Sequence, residues 1–206
     1  MQFPVNLELT GKRCLLVGAG RIALRKAEQL IACGADVTVL APEAHAGFSE
    51  LPVTVDRRPY RSGDVAGYRL VITATGDHVV DQQIHDEAEA LGIWVNSADD
   101  PDRCTFTLPA VVRRGDLMVT VSTAGSSPAL SSWMRRRLEQ IIGDEYAAIT
   151  AELSARRRAI HADGVSTETI DWQPIIADVL RSHGVAESFA TGTCPCAVGT
   201  PVTVTA

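Results

Sequence analysis

Gly18-Ala19-Gly20-Arg21-Ile22-Ala23 has the G-x-G-x-x-A spacing that lets a backbone wrap a pyrophosphate. Gly18 permits a tight turn, Gly20 lets the backbone approach the phosphates, and Ala23 is small enough for a helix to pack closely on a strand. The exposed N–H groups at the helix start, those of Arg21 and Ile22 among them, favour an anion there. An ordinary glycine turn would also fit an isolated motif; a strand before it and a helix after it decide for a dinucleotide. In many NAD sites an acidic residue about 20 positions further on holds the ribose 2′-hydroxyl. Here Leu40-Ala41-Pro42-Glu43 makes Glu43 the candidate, with Pro42 in the same turn. No Arg or Lys stands in that turn to meet a 2′-phosphate, which points to NAD rather than NADP.

The elements around the motif follow from periodicity. Cys14–Val17 is a continuous apolar run, as a strand buried on both faces requires. A helix is expected from about Ile22 to Cys33, with Ala23, Ala27, Leu30 and Ile31 on one stripe and Gly34 at its end. Val37–Leu40, Val53–Val55, Leu70–Ile72 and Ile93–Val95 read as further strands, and Asp77–Leu91 as a second helix closed by Gly92. Strands alternating with helices imply a parallel, doubly wound sheet. The pattern changes after Asn96. Phe106–Val112 and Leu117–Ser122 suggest a hairpin joined by Arg113-Arg114-Gly115-Asp116, and Ser127-Pro128 opens a helix running to about Ile142. Residues 145–161 and Ile175–Leu180 read as helices, and residues from Ala190 onward as a loose tail. The expected fold class is thus α/β. Residues 1–112 would form the NAD-binding domain, 113–150 a small α+β dimerisation region, 151–189 a helical C-terminal domain and 190–206 a flexible tail.

Composition narrows the functional classes. The 206 residues are 46% hydrophobic with a net charge of −6, so a general nucleic-acid binder is disfavoured. No basic-then-apolar start and no long apolar stretch argue against a secretory signal or a membrane span. Five cysteines (Cys14, Cys33, Cys104, Cys194 and Cys196) in no framework spacing fit a reduced, cytoplasmic protein. His78, His85 and His161 have no metal-ligand spacing, and Cys194-Pro195-Cys196 is too tight for the usual zinc pair, so no metal site is assigned.

Five ordered motifs carry a resemblance. They are Phe3-Pro4-Val5 with Cys14–Lys26; Val39–Glu43; Ala74-Thr75-Gly76-Asp77; Asn96-Ser97-Ala98-Asp99-Asp100-Pro101 with Cys104-Thr105-Phe106; and Val121–Leu130 leading to Arg135 and Glu139. Together they resemble the N-terminal dehydrogenase/chelatase module of siroheme synthases, the precorrin-2 dehydrogenase/sirohydrochlorin ferrochelatase family. The resemblance spans roughly residues 3–142. It implies a Rossmann domain, a central dimerisation region and a small helical domain. The implied reaction is NAD-dependent oxidation of precorrin-2 to sirohydrochlorin; some relatives also insert ferrous iron. It adds Thr75, Asp77 and Asn96 to the cofactor-binding residues and aligns Asp99 with the carboxylate implicated in both steps. Asp81 stands where such proteins often have Asn, and the chain ends without the methyltransferase domain of fused siroheme synthases, so a stand-alone enzyme is expected.

The chemistry of that reaction names the remaining candidates. Oxidising the macrocycle releases a hydride and a proton, and Asp99, placed after a strand at the carboxyl edge of the sheet, could accept the proton. Precorrin-2 carries many carboxylates, so Arg113, Arg114, Ser122, Thr123 and Ser126 are candidate substrate contacts. Leu130, Trp133, Met134, Leu138 and Ile141 give the 128–142 helix more apolar surface than a small domain covers, which predicts a homodimer. On the residues alone, an unrelated small NAD oxidoreductase and a non-catalytic NAD(H)-sensing domain stay open.

Overall fold

The computed structural model describes residues 2–98 and 100–185. These divide into two compact units, 2–108 with Ala124–Ser126, and Pro109–Thr123 with 127–185. Asp99 and the tail, including Cys194-Pro195-Cys196, lie outside the described residues.

The first unit is built on strands β1 (Arg13–Val17), β2 (Asp36–Leu40), β3 (Thr54–Asp56), β4 (Leu70–Thr73) and β5 (Trp94–Ser97). They form one parallel sheet in the order β3-β2-β1-β4-β5. Helix α1 (Arg21–Ala32) links β1 to β2, and α2 (His78–Ala90) links β4 to β5. The order reverses between β1 and β4, so right-handed crossovers put the two helices on opposite faces. The side chains confirm it. Leu16, Val39, Leu70 and Ile72 pack with Ala23, Ala27 and Leu30 of α1 on one face. Leu15, Val17, Val71 and Val95 pack with Ile84 and Ala88 of α2 on the other. The strand interiors are thus mainly apolar, as a sheet covered twice demands, with buried Thr73, Asn96 and Ser97 confined to the carboxyl ends of β4 and β5.

The helix termini follow the expected chemistry. Gly34, just past α1, adopts φ +73°. Asp77 caps α2, its Oδ1 accepting from the Val79 and Val80 N–H groups at 2.9 and 3.3 Å. Strand β5 lies one to two residues later than the apolar run Ile93–Val95 suggested and takes in Asn96 and Ser97.

The second unit has an antiparallel hairpin, β6 (Ala110–Arg114) and β7 (Leu117–Val121), then α3 (Pro128–Ile141), α4 (Glu145–Ala162) and α5 (Gln173–Ser182). The hairpin differs from the expectation at both ends. Arg113 and Arg114 are strand residues, opposite Met118 and Leu117, so the turn is only Gly115-Asp116. Phe106 belongs to the first unit: it packs against the α1-side core, and Thr105 N–H donates to Val95 O at 2.9 Å, extending the edge at β5. Helix α3 begins as its sequence requires, with Pro128 in its first turn and Ser127 Oγ accepting from Leu130 N–H at 3.3 Å. Among the described residues no helix is long and apolar enough to cross a membrane.

Candidate cofactor and substrate site

The carboxyl ends of β1 and β4 meet at the reversal of strand order, where open α/β sheets leave a ligand crevice. Gly18 takes the chain out of β1 at φ +99°, and a Cβ there would lie 2.2 Å from Ala74 O, the residue leaving β4. Gly18 N–H donates to Leu40 O at 2.9 Å and Ala74 N–H to Val17 O at 2.8 Å, so three strand ends are tied together at this point. Only glycine fits position 18.

Gly20 is glycine for a different reason. Its φ of −81° and ψ of −171° are open to any residue, and a Cβ would find nothing within 4 Å. Among the described glycines it alone has neither a left-handed conformation nor a neighbour that would be crowded. The protein's own packing therefore gives no reason for glycine there, whereas a phosphate lying against the backbone does. Helix α1 starts at this residue without a side-chain cap and without an acid in its first turn. Its first N–H groups, including those of exposed Arg21 and Ile22, have no intrahelical partner and face the crevice end of the sheet. Ala23 is fully buried against the sheet, as the third motif position requires. These residues fit the phosphates of a dinucleotide.

The turn after β2 carries Pro42 and Glu43, both exposed. On the β4 side, Thr75 Oγ1 donates to Asp81 Oδ1 at 2.7 Å and accepts from Asp77 N–H at 3.0 Å. Asp81 is 4% exposed. The Asp where Asn was expected keeps the acceptor that Thr75 needs; an Asn side-chain oxygen would serve equally. Asp77 is engaged as the α2 cap, so Thr75 and Asp77 fix the loop whose backbone crowds Gly18.

Asn96, at the end of β5, is 7% exposed. Its Nδ2 donates to Phe106 O at 2.9 Å and to Cys104 Sγ at 3.4 Å. Cys104 Sγ also accepts from Ser97 N–H at 3.3 Å. Burial raises the Cys104 thiol above its usual range, so it acts here as a neutral hydrogen-bonding group. Asp100 caps the short 3-10 turn Pro101–Arg103, accepting from Asp102 N–H at 2.9 Å, and pairs with Arg103 at 2.7 Å. The segment on both sides of Asp99 is thus held by Asn96, Cys104 and Asp100. Sequence reading gave Cys104 no role because its contacts depend on the return of 104–106 along β5. Lys26 was likewise passed over as a motif letter. It is half-buried, and burial first, then Arg25, lowers its ammonium below the ordinary lysine value.

A concavity of about 660 Å³ lies elsewhere, on the outer face of α2 beside His78, Gln82, Asp86 and Arg103. Arg103 is already bonded to Gln82 and Asp100, and no strand end reaches this groove. The crevice at the glycine loop has the chemistry instead.

The substrate candidates divide between the units. Ser126 is an exposed residue of the first unit, and the other four belong to the second. Arg113 and Arg114 lie at the turn end of the hairpin, whereas Ser122 and Thr123 follow its open end, where Ala110 pairs with Val121. Counted from Met118 and Leu117, which face the arginines, Ser122 is four to five residues along and Thr123 five to six, roughly 14–20 Å if the chain stays extended. Arg114 is partly committed, to Arg113 O at 3.0 Å and to Asp144 at 3.1 Å. Thr123 Oγ1 accepts from Ser127 N–H at 3.0 Å and sits 3.3 Å from Ser131 Oγ, which makes it part of the α3 start. Among the described residues no three His, Cys, Asp or Glu side chains are placed to hold a metal ion.

Comparison with known proteins agrees with this geometry. Residues 5–110 match the family described as putative NAD(P)-binding, and residues 114–141 the one described as sirohaem biosynthesis protein central. The chain is similar to the siroheme synthase of Nitrosococcus oceani, 34% identical over 184 residues, covering 85% of this chain and 39% of that protein. It is also similar to the siroheme synthase of Tolumonas auensis, 40% identical over 157 residues, covering 75% of this chain and 33% of that protein. The chain thus spans between a third and two fifths of the length of these curated relatives. Among solved structures it resembles a protein titled SirC, precorrin-2 dehydrogenase, at a TM-score of 0.69 and 25% identity, covering 89% of this chain and 99% of that one.

Proposed function

The chain belongs to the siroheme-synthase family of NAD(P)-binding proteins, and on that premise we propose that it oxidises precorrin-2 to sirohydrochlorin with NAD. The observation that carries this reading is the likeness to a solved precorrin-2 dehydrogenase over 99% of that protein's length, both units included. Gly20, whose open face only a bound group explains, supports it from within the chain.

When bound, NAD would supply the hydride acceptor. The chain's part is to hold and orient. The Arg21 and Ile22 N–H groups take the pyrophosphate, and Glu43 takes a ribose hydroxyl. Thr75 and Asp77 fix the β4 loop that closes the crevice. Asn96 shapes the segment leaving β5, from which Asp99 accepts the proton that leaves the macrocycle. Arg113, Arg114, Ser122, Thr123 and Ser126 remain the proposed contacts for the substrate's carboxylates. The separation along the hairpin favours recognition of two different carboxylates, one by the arginines and one by the hydroxyls.

The proposed protein works in the cytoplasm as a homodimer. Support for the dimer is α3, on which Leu130, Trp133, Met134 and Ile141 are 47%, 53%, 40% and 48% exposed along one stripe. Insertion of ferrous iron is a second activity of the same reading, since macrocycle N–H protons must leave before a metal is seated and Asp99 could take them.

The test is a spectroscopic assay of the purified chain with precorrin-2 and NAD, followed by added ferrous iron. The sirohydrochlorin spectrum should appear with NAD and much more slowly with NADP. Asp99→Ala should keep NADH binding and lose oxidation by ~10²–10⁴-fold, the usual cost of a positioned base. Oxidation at near wild-type rate by the variant would remove Asp99 from the chemistry. No sirohydrochlorin from the wild type would remove the function.

A further inference from the structure

The turn after β2 carries a second polar side chain beside Glu43. His45 N–H donates to Ala19 O at 2.9 Å, and Gly18 N–H donates to Leu40 O at 2.9 Å, so the glycine loop and the exit of β2 are stitched together twice. The ring of His45 is exposed at this junction. Its Nδ1 accepts from Gly47 N–H at 3.1 Å. A backbone amide can only donate, so Nδ1 is the bare nitrogen and the neutral ring carries its proton on Nε2. Gly47 is itself fixed in place: a Cβ there would meet Leu24 of α1 at 2.8 Å and His45 Nδ1 at 3.3 Å. One edge of the ring is therefore anchored at Gly47, which packs on α1, and Nε2 on the other edge is left as an N–H donor on a residue whose backbone joins the glycine loop.

We propose that His45 is an adenosine-binding residue of the cofactor site, donating from Nε2 to a ribose hydroxyl. The proposal rests on the reading that NAD occupies the crevice. A ribose hydroxyl both donates and accepts, and the turn supplies the matching pair: a Glu43 carboxylate that only accepts and a His45 N–H that only donates. A 2′-phosphate offers acceptors and negative charge. It would meet a repelling carboxylate and a single imidazole N–H, with no Arg or Lys in the turn, so the two residues together favour NAD.

The test uses the full chain, with NADH binding followed by fluorescence and AMP and nicotinamide mononucleotide as displacing probes. In His45→Ala, affinity for NADH and for AMP should fall together by about 5–10-fold, the value of one hydrogen bond. Affinity for nicotinamide mononucleotide should not change. His45→Asn, whose oxygen can take the Gly47 N–H and whose amide can donate, should recover most of the loss. Unchanged NADH and AMP affinity in a folded His45→Ala overturns the proposal while leaving NAD binding intact. Equal weakening of the nicotinamide probe also overturns it, because the residue would then be supporting the whole loop. A wild-type chain that binds no NADH removes the cofactor reading and the proposal with it.

Discussion

The two units spend their apolar residues in opposite ways. In the first, both faces of a five-stranded sheet are closed by helices, and the buried side chains form one continuous cluster on each face. In the second, among the described residues, Val112, Ile149 and Val179 are the buried hydrophobics, and the central helix turns an apolar stripe outward. At about 2 kcal/mol for each Leu or Ile fully removed from water, the first unit can offset its own ordering entropy and the second is far less able to. The contrast teaches a division of labour. A finished core can afford strained, uncapped loops at its carboxyl edge, where a cofactor supplies the missing contacts. Under the proposed homodimer, an unfinished one is half of an interface, and its missing contacts would come from the second copy.

The largest expected effect separates fold from site within the first unit. Gly18→Ala would place a Cβ 2.2 Å from Ala74 O on a backbone at φ +99°. We expect it to destabilise the unit by about 3 kcal/mol or more, since left-handed strain alone costs about 1–3 kcal/mol and the collision is with backbone. Gly20→Val should do the reverse: stability within about 1 kcal/mol of wild type, but NADH affinity at least ~10-fold weaker, a loss of about 1.4 kcal/mol in binding. Urea unfolding and NADH titration of both variants read the two effects. If Gly20→Val binds NADH normally, the open face at that position is not the phosphate cradle.

Next in size is the interface. Trp133 is the largest side chain of the exposed α3 stripe, with Arg137 stacked over its ring at 5.9 Å. Trp133→Glu should weaken self-association by roughly 30-fold or more, in the range of an aromatic anchor lost from an interface centre. Light scattering should then show monomer at concentrations where the wild type is dimeric. NADH binding should survive, because every proposed cofactor contact lies in the first unit. A wild type that is monomeric at micromolar concentration would instead mean that the α3 stripe has some other cover.

That division also explains what could be read in advance. Fully buried strands such as Cys14–Val17 and Leu70–Ile72 announce themselves as apolar runs, and the glycine spacing names its own turn. The sheet, its helices and the glycine turn were therefore legible. The path of 104–108 was not. Phe106 looks like the first residue of a strand, and its packing on the α1-side core and the bond from Thr105 N–H to Val95 O assign it to the first unit. Cys104 and Asn96 acquire their roles from that long-range return, which leaves no periodic signal. Arg113 and Arg114 read as a turn because charge and glycine stand together, yet cross-strand pairing with Met118 and Leu117 keeps both in β6. His45 was hidden for a similar reason: its tautomer is set by an amide two residues away, and nothing in residue type alone shows that.

The smallest effect tests how the second unit holds its last helix. Glu152 of α4 accepts from Arg156 at 2.7 Å and pairs with His183, just past α5, at 3.0 Å; Arg156 also reaches Asp178 of α5 at 3.3 Å. The hydrogen bond from Arg156, then that from His183, holds the Glu152 carboxyl below its ordinary 4.5. A depressed folded-state value means that the charged form is favoured by folding. The contribution is therefore complete above about pH 4.5 and is lost as pH falls through the lower folded value. Because these side chains are solvated, screening keeps the gain small. Melting curves of the wild type and of Glu152→Gln, taken from pH 7 downward, should differ slightly at neutral pH and converge below pH 4.5. Added salt should shrink the neutral-pH difference. A gap that persists unchanged into acid would show that Glu152 stabilises the α4–α5 pair by packing and not by charge.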